Sequence, residues 1–295
     1  MPNRHGADRV VVHGFPHRAA VRASLTALYR RLSPDGVHRY PLSVPASDTA
    51  IGDDEDLHLG TRRVARALVR HLRLPEARIV ASFRPMEHAA TVELAAGPEY
   101  FVELNDRFRT RRRDIGAALA HEITHVLLHR LGLDFPGTAE NEILTDVTTA
   151  YLGAGWLLLD AYRQDGVESQ RLGYLTPEEF GYVLAKRAEV FGEDPSPWFT
   201  SYVAYEAWVR GRAEARRERR LPPLAGAAWA ERRRYGRERR QGRAAPGAPY
   251  GFDGGAPATG VSFACPVCLQ RLRIPAGRTL RARCGVCASV VECAG

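Results

Sequence analysis

The sequence predicts an α+β fold: a small β-sheet packed beside a helical bundle, followed by a small cysteine-bearing module. Three observations carry that expectation. Three short strand-like runs, 77–83, 91–95 and 100–104, are separated by turn residues around Pro85 and at Gly97-Pro98. Several stretches with apolar residues at helical spacing follow them. All five cysteines fall within the last 31 residues, as two close pairs and a single Cys293.

In chain order, residues 18–32 place apolar side chains at helical spacing and stop at Pro34-Asp35-Gly36. Residues 41–60 read as loop, and a basic amphipathic helix follows over 61–73. After the strands, 114–131 reads as a helix closed by Gly132. Thr138 is the expected N-cap of the next helix, with Glu140 and Glu142 in its first turn, where acids favour the helix dipole. That helix is expected to run to about Tyr162. Thr176-Pro177-Glu178-Glu179 opens another, and a further one is expected over 197–213.

The chain has 295 residues, 45% hydrophobic and 26% charged, enough for one sizeable core plus an appendage. No apolar run near the N-terminus has the length of a signal peptide. The most apolar stretch, Val147–Leu159, is shorter than the ~20 residues of a membrane span. A cytoplasmic protein without a membrane segment is therefore expected. Net charge is +8, yet the span 210–243 alone holds 13 Arg against 4 Glu. The rest is close to neutral. Residues 214–258 mix Arg, Glu, Pro, Gly and Ala and read as a flexible linker. The expected division is 1–213 as the main domain (core about 61–205), 214–258 as linker, and 259–295 as the terminal module.

The chemistry concentrates in His121-Glu122-Ile123-Thr124-His125. Two histidines four apart on a helix lie about 40° apart around its axis, so both imidazoles point one way. Hydrolytic zinc needs three protein ligands, an open position and a base. Glu142, 17 residues after His125 on the next helix, is the candidate third ligand. Glu122 is the candidate general base. Asp146, one turn beyond Glu142, is the candidate acceptor that orients a ligand imidazole. His129 falls about 80° from His121 around the axis and reads as helix surface. Tyr151, Tyr162, Tyr174 and Arg163 are candidate oxyanion stabilisers, and spacing does not choose among them.

His-Glu-x-x-His followed by Glu-x-x-x-Asp resembles the gluzincin group of zinc peptidases, in particular the minimal HtpX-like and ImmA/IrrE-like proteins. The resemblance covers roughly 75–165. It implies a catalytic zinc held by His121, His125 and Glu142, with Glu122 as base. It also implies that the strand 100–104 is an edge along which a peptide substrate can pair. A metzincin would need Gly at 128 and His at 131, and both are Leu. A deformylase-like site would need a cysteine ligand, which the region lacks.

Cys265-Pro266-Val267-Cys268 and Cys284-Gly285-Val286-Cys287 are separated by 15 residues and read as the two knuckles of a four-cysteine zinc ribbon. A module this small needs metal to fold, so one structural zinc is expected beside the catalytic one. Cys293 is spare. Arg271, Arg273, Arg278, Arg281 and Arg283 make the ribbon basic, but only Phe263 lies nearby as a stacking aromatic.

The leading expectation is a peptidase acting on a peptide or protein substrate. The alternative is a regulatory or sensor protein with a non-proteolytic zinc domain. That protein would bind a protein partner, or nucleic acid non-specifically, through residues 210–295.

Overall fold

The computed structural model describes residues 13–164, 169–170 and 172–295. The first twelve residues, over which no signal peptide was expected, lie outside them. The chain begins with α1 (Arg18–Val37), the four-residue α2 (Ala46–Thr49) and α3 (Leu57–His71). The α1 helix is interrupted at Ser33, just before Pro34. Asp56 caps α3 by accepting from the Leu59 amide at 2.9 Å.

Strands β1 (Arg78–Arg84), β2 (Ala90–Glu93) and β3 (Glu99–Asn105) form a sheet in the order β1-β3-β2. β3 is parallel to β1 and antiparallel to β2. The strand expected at the edge, 100–104, is therefore central. The two outer strands both meet helices, β1 packing against α3 and β2 against α4 (Ile115–Leu131). Tyr100, Val102 and Leu104 are buried while Phe101 is exposed, so β3 turns one face to the core and the other to solvent.

Next come α5 (Thr138–Tyr151), α6 (Gly155–Asp160), the short antiparallel pair β4 (Arg163–Gln164) and β5 (Ser169–Gln170), α7 (Pro177–Phe191) and α8 (Tyr202–Glu218). The helix expected to reach Tyr162 breaks after Tyr151. Gly153 adopts φ +107, and its carbonyl accepts from Val44 N at 2.9 Å. A Cβ there would meet the backbone of Leu42 and Ser43, so the chain must turn where these segments touch. The cap of α5 falls on Gly137 instead of Thr138. Thr176 makes a full capping box with Glu179, as its sequence suggested. The helix expected over 197–213 starts later, at Tyr202, where the Ser201 side chain caps the Ala204 amide.

The segment 214–258, expected to be a linker, instead contains α9 (Trp229–Gln241) and β6 (Tyr250–Asp253). Composition hides the reason. In α9 only Tyr235 and Glu238 are buried. Tyr235 packs its ring on Tyr250 and Phe252, while Glu238 accepts from the Tyr250 hydroxyl at 3.1 Å. Two anchors suffice to fix an otherwise solvated, arginine-rich helix. β6 joins β7 (Gly260–Ala264) and β8 (Arg271–Pro275) in one sheet, and β9 (Leu280–Arg283) pairs with β10 (Val290–Cys293). Leu224, Tyr235, Tyr250, Val261, Phe263, Val291 and Cys293 form a second, smaller core.

The cysteine knuckles pack into the main core, among α1, α5 and α7 residues, and do not hang from a tether. The Thr26 hydroxyl donates to the Cys268 carbonyl at 2.8 Å, and the Lys186 ammonium donates to the Pro266 carbonyl at 3.1 Å. Lys186, the single lysine of the chain, is fully buried and pairs with Glu218 at 2.8 Å. Among the described residues no helix is long and apolar enough to cross a membrane.

Candidate metal centres

The His-Glu segment lies in the middle of α4, and α5 packs against it after the loop 132–137. Asn141 shapes that loop: its side-chain amide exchanges two hydrogen bonds of 2.6 Å with the Phe135 backbone. This brings Glu142 opposite His121 and His125. Behind the site the hydroxyls of Thr124 and Thr149, both buried, meet at 2.9 Å and hold the helices in register.

Nε2 of His121 stands 3.1 Å from Nε2 of His125 and 3.0 Å from Oε2 of Glu142, and the remaining edge of the triangle is 3.6 Å. A tetrahedral ion with bonds of about 2.0–2.1 Å spaces its ligands about 3.3 Å apart, so the triangle has the size such an ion requires. The protonation pattern agrees. His121 Nδ1 lies 2.9 Å from Oδ1 of Asp146, and His125 Nδ1 lies 3.3 Å from the Thr145 hydroxyl. Thr145 spends its own proton on the Asn141 carbonyl at 2.9 Å, so it accepts from His125. With both Nδ1 atoms donating, both Nε2 atoms face inward with a carboxylate oxygen, and each can present a lone pair to a metal ion once its Nε2 proton is given up. Three such atoms at this separation need a positive charge among them, either a proton on His121 or a metal ion in its place.

The ionisation of these groups is mutual. Burial opposes protonation of His121, but the acceptors Asp146 and Glu142 outweigh it and hold its pKa well above the ordinary value. Burial likewise opposes ionisation of Glu142, and its hydrogen bonds with His121 and His125 outweigh that, holding it far below the carboxylate range. Glu122 is buried beside His121, and burial pushes its pKa up. His121, His125 and Glu142 are thus a group that could hold a metal ion.

Asp146 is fully buried and works in two directions. Oδ1 takes His121, while Oδ2 accepts the Tyr174 and Leu175 amides at 2.5 and 3.0 Å. The chain passes so close that a Cβ on Gly173, which sits at φ +95, would lie 2.5 Å from the carboxylate. Of the sequence candidates for an oxyanion group, Tyr174 is the one that this bonding brings to the site with an exposed side chain. Tyr151 is buried against the Tyr29 hydroxyl at 2.7 Å, Tyr162 is buried, and the Arg163 guanidinium grips Asp114 through two bonds of 2.7 and 2.8 Å. His129 is exposed and outside the ligand group. Thr145 and Gly173 were not legible in advance. The only hint was that Thr145 shares the α5 face of Glu142 and Asp146.

The second centre joins Cys265, Cys268, Cys284 and Cys287, all buried, with their Sγ atoms within 4.8 Å of one another. The Sγ pairs 265–287 and 268–284 are each 3.6 Å apart, far beyond a disulfide bond. They are close to the about 3.8 Å that a tetrahedral site with zinc–sulfur bonds of about 2.3 Å imposes. Both knuckles have the same backbone. Leu269 N bonds Cys265 O and Ala288 N bonds Cys284 O, each at 3.0 Å, with Leu269 and Ala288 in the left-handed region. The module resembles a zinc ribbon, and the site could hold one zinc. Cys293 stands apart in the smaller core, its thiol pushed up to about 11 by burial.

No protein-family model matches the chain, and neither a curated protein nor a solved structure matches it.

Proposed function

We propose that the protein is a zinc-dependent peptidase of gluzincin type. The observation that carries this reading is the convergence of two imidazole nitrogens and one carboxylate oxygen beside a buried carboxylate. Two nitrogens and one oxygen suit zinc, and three protein ligands leave a position open. Zinc bound there supplies Lewis-acid activation of water.

The chain's own residues do the rest. Glu122 takes the proton of the attacking water and returns it to the leaving amine. Its buried setting favours a base that ionises near the working pH. Asp146 and Thr145 hold the two imidazoles in one tautomer. The outer edge of β2 offers backbone groups with which an extended peptide can pair. Tyr174, whose amide bonds Asp146 and whose side chain is exposed, is the candidate donor to the developing oxyanion. The five cysteines, none in a disulfide, fit a reducing compartment such as the cytoplasm.

The decisive variant is Glu122→Gln. Hydrolysis of an unstructured protein such as casein should fall by about 10²–10⁴-fold, while the zinc content stays unchanged. Turnover retained in that variant removes Glu122 from the mechanism.

A further inference from the structure

The arginine excess of the chain is not spread over a disordered tail; part of it lines a cleft. An open cleft of about 850 Å³ lies between the N-terminal part of α1, the C-terminal end of α8, the start of α9 and the loop 247–249. Its charged lining is Arg18, Arg22, Arg216, Arg217, Arg220 and Arg234, against the single acid Glu231. Two carboxylates lie behind the wall and hold it in shape. Glu218 accepts from Arg18 and Arg22 at 2.8 Å each, and Glu214 pairs with Arg18 and, at 3.2 Å, with Arg217, while Arg234 pairs with Glu231 in the lining itself. The cleft retains a positive surplus, and Arg216 and Arg220 are exposed within it. Arg216 and Arg220 lie four apart in sequence with Arg217 between them, a concentration of like charge at the end of α8. An anionic ligand relieves that repulsion.

A second feature leads into the same place. Tyr202, Tyr205 and Val209 are exposed at 74%, 50% and 42%. At 100° per residue they share a face of α8 with Ala213 and Arg216, which line the cleft together with Arg220 in the turn just after the helix. The helix therefore presents a track roughly 25 Å long, with aromatic rings at one end and guanidinium groups at the other. The ribbon offers no comparable platform: Phe263 is buried in the smaller core, and Arg273 is paired with Asp253.

We infer that α8 and the arginine-lined cleft at its C-terminal end form a binding track for single-stranded nucleic acid. Guanidinium forks match phosphate oxygens two bonds at a time, and exposed tyrosines give unpaired bases a surface to stack on. An acidic peptide would satisfy the arginines but not use the rings. A duplex keeps its bases stacked inside and would also leave the rings unused. The inference is independent of the peptidase reading, since its residues lie outside the metal group.

The test is fluorescence anisotropy of the full chain with labelled oligothymidylate and oligouridylate across about 50–200 mM salt. Binding should weaken steeply with salt. The exposed double variant Arg216→Ala, Arg220→Ala should lower the logarithmic salt slope by about 1.4, at about 0.7 per phosphate contact on a single strand. The double variant Tyr202→Ala, Tyr205→Ala should weaken binding by roughly tenfold or more with the slope unchanged. Three results would each overturn the inference: no salt-sensitive binding, polyglutamate or duplex DNA competing as well as the single strand, or wild-type affinity in the tyrosine variant.

Discussion

Asp146 stands with Oδ1 2.9 Å from Nδ1 of His121, while its other oxygen accepts two backbone amides from the loop before α7. One buried carboxylate thus fixes a ligand imidazole and the wall of the site together. Asparagine has a single acceptor oxygen and cannot serve both sides. Asp146→Asn should therefore weaken zinc binding by about 10–100-fold, read by competition with a chromogenic chelator. Wild-type affinity in this variant would mean that His121 needs no such partner.

Gly173 is the other side of the same relationship. Alanine there meets both a positive φ and the Asp146 carboxylate at 2.5 Å. Gly173→Ala should cost about 1–3 kcal/mol of stability and weaken metal binding with it. A thermal melt and a chelator titration on the same sample check the two effects. A change in stability with no change in affinity would separate the loop from the metal group.

Much of this site was legible in the sequence. The spacing of His121 and His125, the acids at 142 and 146 and the paired cysteines each express one side-chain geometry, and local geometry survives translation into sequence. The helix stop at Gly132 and the capping box at Thr176 are local in the same sense. What escaped depends on partners distant along the chain. The break after Tyr151 exists because Gly153 meets the segment at 42–44. The α9 helix exists because Tyr235 and Glu238 meet Tyr250. The central place of β3 follows from pairing with β1 and β2 on both sides, which no single strand records. The ribbon looked separable because the contacts that bind it, Thr26 to Cys268 and Lys186 to Pro266, join residues far apart in sequence.

Those contacts make the four-cysteine centre part of the main fold. Cys268→Ser should lower the melting temperature of the whole chain, because the knuckles share a core with α1, α5 and α7. Trp156 and Trp208, buried within that core, report the transition through their fluorescence. A tethered module would leave their melting curve unchanged.

Glu218 gives the fold an acid-sensitive joint. Burial raises its pKa, but Lys186, Arg18 and Arg22 outweigh burial and hold it at about 2. Its unfolded value is near 4.5, so the folded state binds its proton less readily. The stabilisation is fully present above about 4.5 and is lost as pH falls through about 2. Its size is about 3 kcal/mol by linkage. Urea unfolding of wild type between neutral pH and the acid range should show this decline. Glu218→Gln leaves buried Lys186 with only the longer 3.7 Å pair to Glu189 and should cost about 3 kcal/mol at neutral pH. Equal stability at neutral pH would show that Lys186 is compensated elsewhere.

The most direct test is the zinc content of the purified full-length chain by elemental analysis, alongside His121→Ala and the double variant Cys265→Ser, Cys268→Ser. Two zinc ions per wild-type chain are expected, with one in the folded histidine variant and one in any cysteine variant that remains folded. A single zinc in the wild type, unchanged in His121→Ala, would leave the four-cysteine centre as the sole metal site and contradict the peptidase reading.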